Sequence, residues 1–182
     1  RPEHLDVFTV LLFAGSRIEE VCSLRRDQLT LDDAGAVTGF VAAGGKAGKG
    51  VKNWIPVVHP DAKAVLQRRF DSGDDMIFPE LKKGPQGWSH YIARTLRYRY
   101  RKALGLPTEG KCDVDNHSLR RVHATAGENA GLTEQEIDRL QRRVSGSIAG
   151  DVYSSGPTAE KKTELQQRVS DYLDHHYWDR TP

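Results

Sequence analysis

The sequence has few cysteines, no long apolar run and little excess charge. The longest apolar run, Val7–Ala14 with one threonine inside it, is far shorter than the roughly 18–20 residues that cross a bilayer, so a membrane span is excluded. Arg1–His4 lacks the charged-then-apolar order of a secretory signal. Two cysteines, Cys22 and Cys112, indicate a reducing compartment rather than a disulfide framework. We therefore expect an intracellular protein with no membrane partner.

Common catalytic motifs are missing as well. The chain has no P-loop, no GxGxxG, no HExxH and no GxSxG nucleophile elbow, which argues against the enzyme classes that depend on them. His175 and His176 lack acidic or thiol ligands at a suitable spacing, and two cysteines are too few for a structural zinc site without histidine. We therefore expect no bound metal.

Charge is balanced in total but segregated along the chain. The 182 residues carry 27 Lys and Arg against 25 Asp and Glu, for a net charge of +2. Five cations and no acid fall within Arg94–Lys102, whereas Asp71–Asp75 and Thr133–Asp138 are acidic. Such segregation permits a basic face on a nearly neutral protein, and that face is either a solvated helix surface or a nucleic-acid contact.

Hydrophobic periodicity predicts a mainly α domain with one small antiparallel β-sheet, an α+β class. The sheet is a hairpin of Ala36–Ala43 and Val51–Val58 around a glycine-rich tip. Thr133 and Glu136 form a capping box at one helix start. The predicted helices are Glu3–Phe13, Arg17–Ser23, Asp61–Phe70, Ser89–Leu104, Leu119–Ala130, Thr133–Arg143 and Thr158–Leu173.

Five isolated polar residues lie in loops or near helix starts: Arg17, Lys49, His117, Arg120 and Tyr153. Guanidinium, ammonium and imidazole groups suit a phosphate whose oxygens gain charge during displacement. A tyrosine supplies an oxygen nucleophile for a covalent phosphodiester. Taken singly, these residues have simpler explanations: an ion pair at a helix start for Arg17, an N-cap for His117 and packing for Tyr153.

Four segments together carry a family resemblance. Leu11–Arg25 is similar to a "TG-x-R-x-x-E-x-x-x-L" box, Lys49–Pro56 to a hairpin that carries a lysine, and Asp113–Thr125 to an "H-x-L-R-H-T-F-A-T" box. Gly150–Tyr153 follows at the expected spacing, since 153 − 120 is 33 residues. Over roughly residues 3–155, the chain resembles the catalytic domain of tyrosine recombinases, the integrase family.

The resemblance implies the fold of that catalytic domain and a role for each residue. Arg17 and Arg120 would hold the non-bridging oxygens of the scissile DNA phosphate. Lys49 would protonate the departing 5′-oxygen, and His117 would hydrogen-bond the phosphate or assist proton transfer. Tyr153 would attack to give a 3′-phosphotyrosyl linkage, which conserves the bond energy so that rejoining needs neither a cofactor nor a metal.

The resemblance also implies partners and organisation. Double-stranded DNA is the expected partner, bound by a homo-oligomer (a tetramer) in the cytoplasm, nucleoid or nucleus. Residues 1–182 form one catalytic domain, with a core at 1–155 and a tail helix at 156–182 that packs either on a neighbouring subunit or on its own domain. On this resemblance, we expect the amino-terminal core-binding domain of the family to be absent from this chain. The expected DNA-binding residues are Lys46, Lys52, Arg94, Arg97, Arg101, Arg121 and Arg143.

The chain departs from the family pattern at three points. Val144 stands nine residues before the tyrosine, where the family has a histidine or tryptophan that binds the phosphate. Arg143 or Arg142 is a candidate substitute. The hairpin is one residue shorter than usual, so Lys46 remains a rival to Lys49 as general acid. An arginine also follows Arg120 in place of the usual histidine.

Three alternatives to an active recombinase remain open. A DNA-binding module of the same fold that has lost catalysis would fit the valine substitution. A type IB topoisomerase or telomere resolvase would share the chemistry. A helical protein-interaction domain would show no salt-dependent DNA binding.

Overall fold

A computed structural model describes residues 1–42, 53–110, 112–143 and 158–178. This part of the chain contains seven α-helices and a three-stranded antiparallel sheet, which confirms the predicted mainly helical α+β class. No helix within it is both long and apolar enough to cross a bilayer. The helices are α1 (Pro2–Ala14), α2 (Ile18–Cys22), α3 (Pro60–Asp71), α4 (His90–Ala103), α5 (Ser118–Asn129), α6 (Glu134–Gln141) and α7 (Ala159–Tyr177). The strands are β1 (Leu29–Leu31), β2 (Val37–Ala42) and β3 (Asn53–Pro56).

Helix α1 is the centre of the core. Ten of its 13 residues are buried, and it contacts α2, α3, α4, α5 and α7. A helix that is covered on nearly all sides belongs to the interior of a domain. Near its C-terminal end the Phe13 ring stacks on His59 with 3.4 Å between centroids, and Trp178 meets the same phenyl ring edge-on.

A buried carboxylate joins α1 to α3. Asp6 is 6% exposed and accepts hydrogen bonds from Arg68 Nη2 at 2.7 Å and from Arg69 Nε at 2.9 Å. Arg69 also pairs with Glu80. Because a buried charge is tolerated only when it is paired and hydrogen-bonded, these contacts fix the orientation of the two helices.

The sheet contains the predicted hairpin and one strand that was not predicted. Strands β2 and β3 pair antiparallel, with Phe40 opposite Ile55, and β1 pairs along the other edge of β2. The Trp54 indole N–H crosses the sheet and donates to Thr30 Oγ1 at 2.8 Å. Strand β1 was missed because three residues are too few to show an alternating pattern. The glycine-rich tip, residues 44–50, lies outside the described residues.

The tail helix α7 packs on its own chain. Leu165, Val169 and Leu173 are at most 1% exposed, and Gln166 donates to the Phe13 carbonyl at 2.6 Å. The helix ends at Tyr177, beyond the predicted end. The apolar side of α7 is therefore buried within the domain.

Candidate anion-binding site

The turn between α1 and α2 positions Arg17. Gly15 ends α1 in a left-handed conformation, and Arg17 is the residue before the first turn of α2. Glu20, one turn further on, accepts from the Arg17 backbone N–H at 2.9 Å and from its Nη1 at 3.1 Å. The Arg17 side chain remains 36% exposed. Its guanidinium is therefore held in place yet open to solvent.

Arg120 reaches the same turn from α5. It is 7% exposed, and its Nη1 donates to the Gly15 carbonyl at 2.9 Å while Nη2 donates to the Gln141 carbonyl. Burial lowers its pKa to about 10, as does the nearby charge of Arg17, while Glu20 opposes the shift. Arg120 stays charged at neutral pH and connects α5 to the ends of α1 and α6.

Arg142 and Arg143 complete an arginine cluster at the end of α6. Arg142 is 8% exposed and pairs through Nη2 with Glu20 Oε2, so the Glu20 carboxylate lies between two guanidinium groups. Arg143 is 41% exposed and lies 3.7 Å from Asp138. Both charges contribute to the lowered pKa of Arg120. We call Arg17, Arg120, Arg142 and Arg143 the arginine cluster.

The arginine cluster carries excess positive charge. Within the described parts of the chain, the ion pairs of these four arginines involve two carboxylates, Glu20 and Asp138, which leaves a net charge of +2. Like charges held together in partly buried surroundings repel one another, and an anion relieves that repulsion. The arrangement is therefore suited to binding an oxyanion.

The remaining predicted catalytic residues divide into two groups. His117 lies at the N-terminal end of α5, one turn before Arg120, and its imidazole is exposed; its backbone N–H donates to Asp115 Oδ1 at 2.8 Å. Residues three apart on a helix share a face, so His117 and Arg120 lie on the same side of α5. Lys46, Lys49, Lys52, Val144 and Tyr153 lie outside the described residues.

The predicted DNA-binding arginines are placed differently from one another. Arg94 and Arg97 are exposed on α4. Arg121 is 54% exposed and donates to Ser118 Oγ at 2.8 Å. Arg101 requires a correction: it is 3% exposed, so it cannot line a DNA-binding surface. Its guanidinium donates to the carbonyls of residues 110, 112 and 114, which fastens the loop before α5 to α4.

One acid and one amide with supporting hydrogen bonds were not predicted. Glu19 accepts from the backbone N–H groups of Trp88 at 2.9 Å and Ser89 at 2.8 Å, which ties α2 to the start of α4. Gln141 is 1% exposed and donates to the Arg120 carbonyl at 2.7 Å. Only one feature of the sequence could have indicated this role: Gln141 is a polar residue on the apolar face of a short helix.

His123 is fully buried beneath the cluster. Its Nδ1 lies 3.2 Å from Gln141 Nε2, and its Nε2 lies 2.9 Å from Gln166 Nε2. Burial and, to a smaller extent, the charge of Arg120 lower its pKa to about 4, so the ring is neutral at neutral pH. Neutral His123 therefore supports Gly15 and Arg120 from below without adding charge to the cluster.

Acidification is expected to destabilise the protein through His123. Between its ordinary pKa of 6.5 and its folded value of about 4, the unfolded chain binds a proton that the folded chain does not. The free energy of unfolding should be highest above pH 6.5 and should fall by up to about 3 kcal/mol as the pH drops to about 4. Urea titrations across this range measure the change.

Two variants test the assignment to His123. His123→Asn should be less stable at neutral pH but should lose most of the pH dependence. His175→Gln, at an exposed position on α7, should keep the full dependence. Burial also lowers the pKa of His4, which accounts for a remaining slope of the same sign. An unchanged slope in the His123 variant would refute the assignment.

Comparisons of the chain with protein-family models, with curated proteins and with solved structures found no match.

Proposed function

We propose that this chain carries out site-specific recombination or integration of DNA as a tyrosine recombinase. In this chemistry a strand is cleaved and rejoined through a covalent 3′-phosphotyrosyl intermediate. The proposal is supported above all by one observation, the convergence of Arg17 and Arg120 at a single turn although they are 103 positions apart in the sequence.

Two guanidinium groups beside each other suit a phosphodiester. Arginine presents its N–H donors in a planar fork that matches two phosphate oxygens, and it stays charged near neutral pH. Arg17 is open to solvent and would reach the phosphate directly. Arg120 would stabilise the additional negative charge of the pentacoordinate transition state. Arg143, 41% exposed at the end of α6, would bind a phosphate at the rim.

The cleavage step would exchange one phosphate ester for another. The Tyr153 phenolic oxygen attacks phosphorus, a P–O bond to tyrosine forms, and the bond from phosphorus to the 5′-oxygen breaks. The leaving oxygen takes a proton from Lys49, with Lys46 as the rival donor, and His117 assists removal of the phenolic proton. Reversal of these steps rejoins the strand without an external energy source.

The exposed arginines of α4 and α5 would bind the DNA backbone. Arg94 and Arg97 lie outside the core on α4, and Arg121 lies one residue after the buried Arg120. Phosphate contacts of this kind set position and affinity without reading sequence. Lys52 would add another. Binding should weaken steeply as salt rises, because each neutralised phosphate releases counterions.

A second candidate is a DNA-binding module of this fold with impaired catalysis. The observation that favours it is the enclosure of Arg120, which is 7% exposed and already donates to two carbonyls. Val144 in place of the usual phosphate ligand has the same implication. Such a module would bind DNA through the same exposed arginines and form no covalent intermediate.

Trapping on nicked duplexes distinguishes the two candidates. The nick lets the cleaved fragment diffuse away, so that a covalent protein–DNA adduct accumulates and survives denaturation. Because the target site is not known, a pool of randomised nicked duplexes is the substrate. We expect an adduct with the unaltered chain, none with Tyr153→Phe, and an undiminished yield with Tyr98→Phe, which alters an exposed tyrosine on α4.

Other results of these assays would contradict one or both candidates. Salt-dependent DNA retardation without adduct would support the binding module and refute the recombinase. Adduct formation that survives Tyr153→Phe would refute Tyr153 as the nucleophile. Absence of DNA binding at low salt would contradict both candidates. Capture of two duplexes in one complex separates a recombinase from an enzyme that only relaxes DNA.

A further inference from the structure

The Arg142 side chain is largely buried without a full set of hydrogen-bond partners. Its side chain is 8% exposed, Nη2 contacts only Glu20, and Nε has no hydrogen-bond partner among the described residues. The one charged contact of Arg142 in this part of the chain is the ion pair with Glu20. Buried guanidinium groups normally satisfy most of their N–H donors, since each unmet donor has lost its water without compensation.

The backbone conformation of Arg142 is also unusual. It has a φ of 54°, the only positive φ at a non-glycine residue in the described parts of the chain. Glycine or asparagine normally ends a helix in this left-handed conformation, because a Cβ atom is strained there. The conformation turns the chain at the end of α6 and brings the Arg142 side chain to Glu20.

Glu20 alone does not neutralise the groups around it. Its Oε1 accepts from Arg17 and its Oε2 pairs with Arg142, so one negative charge is shared by two positive ones. Arg120 adds a third guanidinium, and burial and the positive charges of Arg17 and Arg142 lower its pKa. The missing negative charge and the unmet Nε donor of Arg142 therefore occur at the same place.

We infer that Arg142 is a third phosphate-binding arginine, and that Glu20 is a temporary counter-ion which releases Arg142 when an oxyanion binds. The identification of that oxyanion as a DNA phosphate rests on the proposed function. Arg142 then provides the phosphate contact for which the family uses a residue two positions further on, at Val144. Glu20 keeps its bonds to Arg17 and holds that side chain in place.

A purely structural role makes a different prediction. If Arg142 served only to join α6 to α2 through Glu20, removing either partner would lower stability and leave anion affinity unchanged. If Arg142 binds the anion, the two removals have opposite effects on affinity. Loss of Arg142 removes an attractive charge, whereas loss of the Glu20 charge removes a competitor.

Inorganic sulfate is the probe. Thermal unfolding of the whole chain is followed as sodium sulfate replaces sodium chloride at constant ionic strength, and the rise in Tm gives an apparent affinity. Sulfate also stabilises proteins generally, by exclusion from their surfaces. Arg68→Gln corrects for this, because it removes an exposed arginine that is paired with a carboxylate, Asp6, and does not belong to the arginine cluster.

We expect Arg142→Gln to weaken sulfate binding at least tenfold and Glu20→Gln to tighten it severalfold, although both variants unfold at lower Tm without sulfate. Arg68→Gln should have unchanged affinity. If Arg142→Gln does not fold, Arg142→Lys keeps the charge without the planar fork and should weaken binding by a smaller factor. Equal sulfate affinity in the unaltered chain and the Arg142 variants, or weaker binding in Glu20→Gln, would overturn the inference.

The trapping assay keeps this inference separate from the proposed function. A covalent adduct at Tyr153 together with unchanged sulfate affinity in the Arg142 variants would refute the inference alone. Sulfate binding that depends on Arg142, in a chain that forms no adduct, would refute the recombinase alone.

Discussion

Arg120→Ala should lower the rate of DNA cleavage roughly a thousandfold at saturating DNA. Removal of one preorganised donor to a developing oxyanion reduces catalysis by about 10²–10³-fold, and here the lost donor is also a full charge. The same substitution should lower the free energy of unfolding by about 3 kcal/mol, because the Gly15 and Gln141 carbonyls lose a buried partner. Single-turnover adduct formation and urea unfolding measure the two effects.

The control for Arg120→Ala removes another arginine that donates a hydrogen bond to a backbone carbonyl outside the arginine cluster. Arg168 on α7 donates from Nη2 to the Ala130 carbonyl at 2.6 Å. Arg168→Ala should lose stability while cleavage stays close to that of the unaltered chain. Arg17→Ala should lose most cleavage with a smaller loss of stability, since its side chain is partly exposed. A near-normal cleavage rate in Arg120→Ala would count heavily against the proposed chemistry.

Gly15→Ala should lower the free energy of unfolding by about 3 kcal/mol. At a φ of 61° a Cβ atom is itself strained by about 1–2 kcal/mol. That atom would also lie 2.7 Å from Cγ and Nδ1 of the His123 ring. The ring cannot move away easily, because Gln141 and Gln166 contact it from both edges, so overpacking adds a further 1–3 kcal/mol or so.

Gly35→Ala separates the two components of this effect. Gly35 has a φ of 81°, and a Cβ atom there would meet nothing within 4 Å. This variant should therefore show only the backbone strain, about 1 kcal/mol. Urea unfolding followed by circular dichroism measures the free energy of unfolding of both variants. Equal losses in the two variants would mean that the contact with His123 contributes nothing.

Local pattern was sufficient to predict most of the secondary structure. The break at Ala14–Gly15 separates α1 from α2, and the glycine-rich segment lies between two β-branched stretches that pair as β2 and β3. Both features are set by residues that are close together in the sequence. Strand β1 was missed because its stability comes from β2 rather than from its own three residues.

Long-range contacts in the candidate site could not be predicted in the same way. Periodicity assigned Arg101 to a basic helix, but it could not show that the loop before α5 covers that residue. The hydrogen bonds of His123 reach residues 18 and 43 positions away. Only the family resemblance brought Arg17 and Arg120 together in advance, and the catalytic roles of both residues remain predictions.

The position of α7 limits how copies of this chain can assemble. Its apolar side is used to complete the interior, Gln166 is bonded to the Phe13 carbonyl, and Trp178 donates to Asp61 Oδ2 at 2.7 Å. The apolar side of α7 is therefore not available to another subunit in this conformation. Any multimer built from this conformation must use other surfaces, and a shortened version of the protein must retain Trp178 to keep its interior closed.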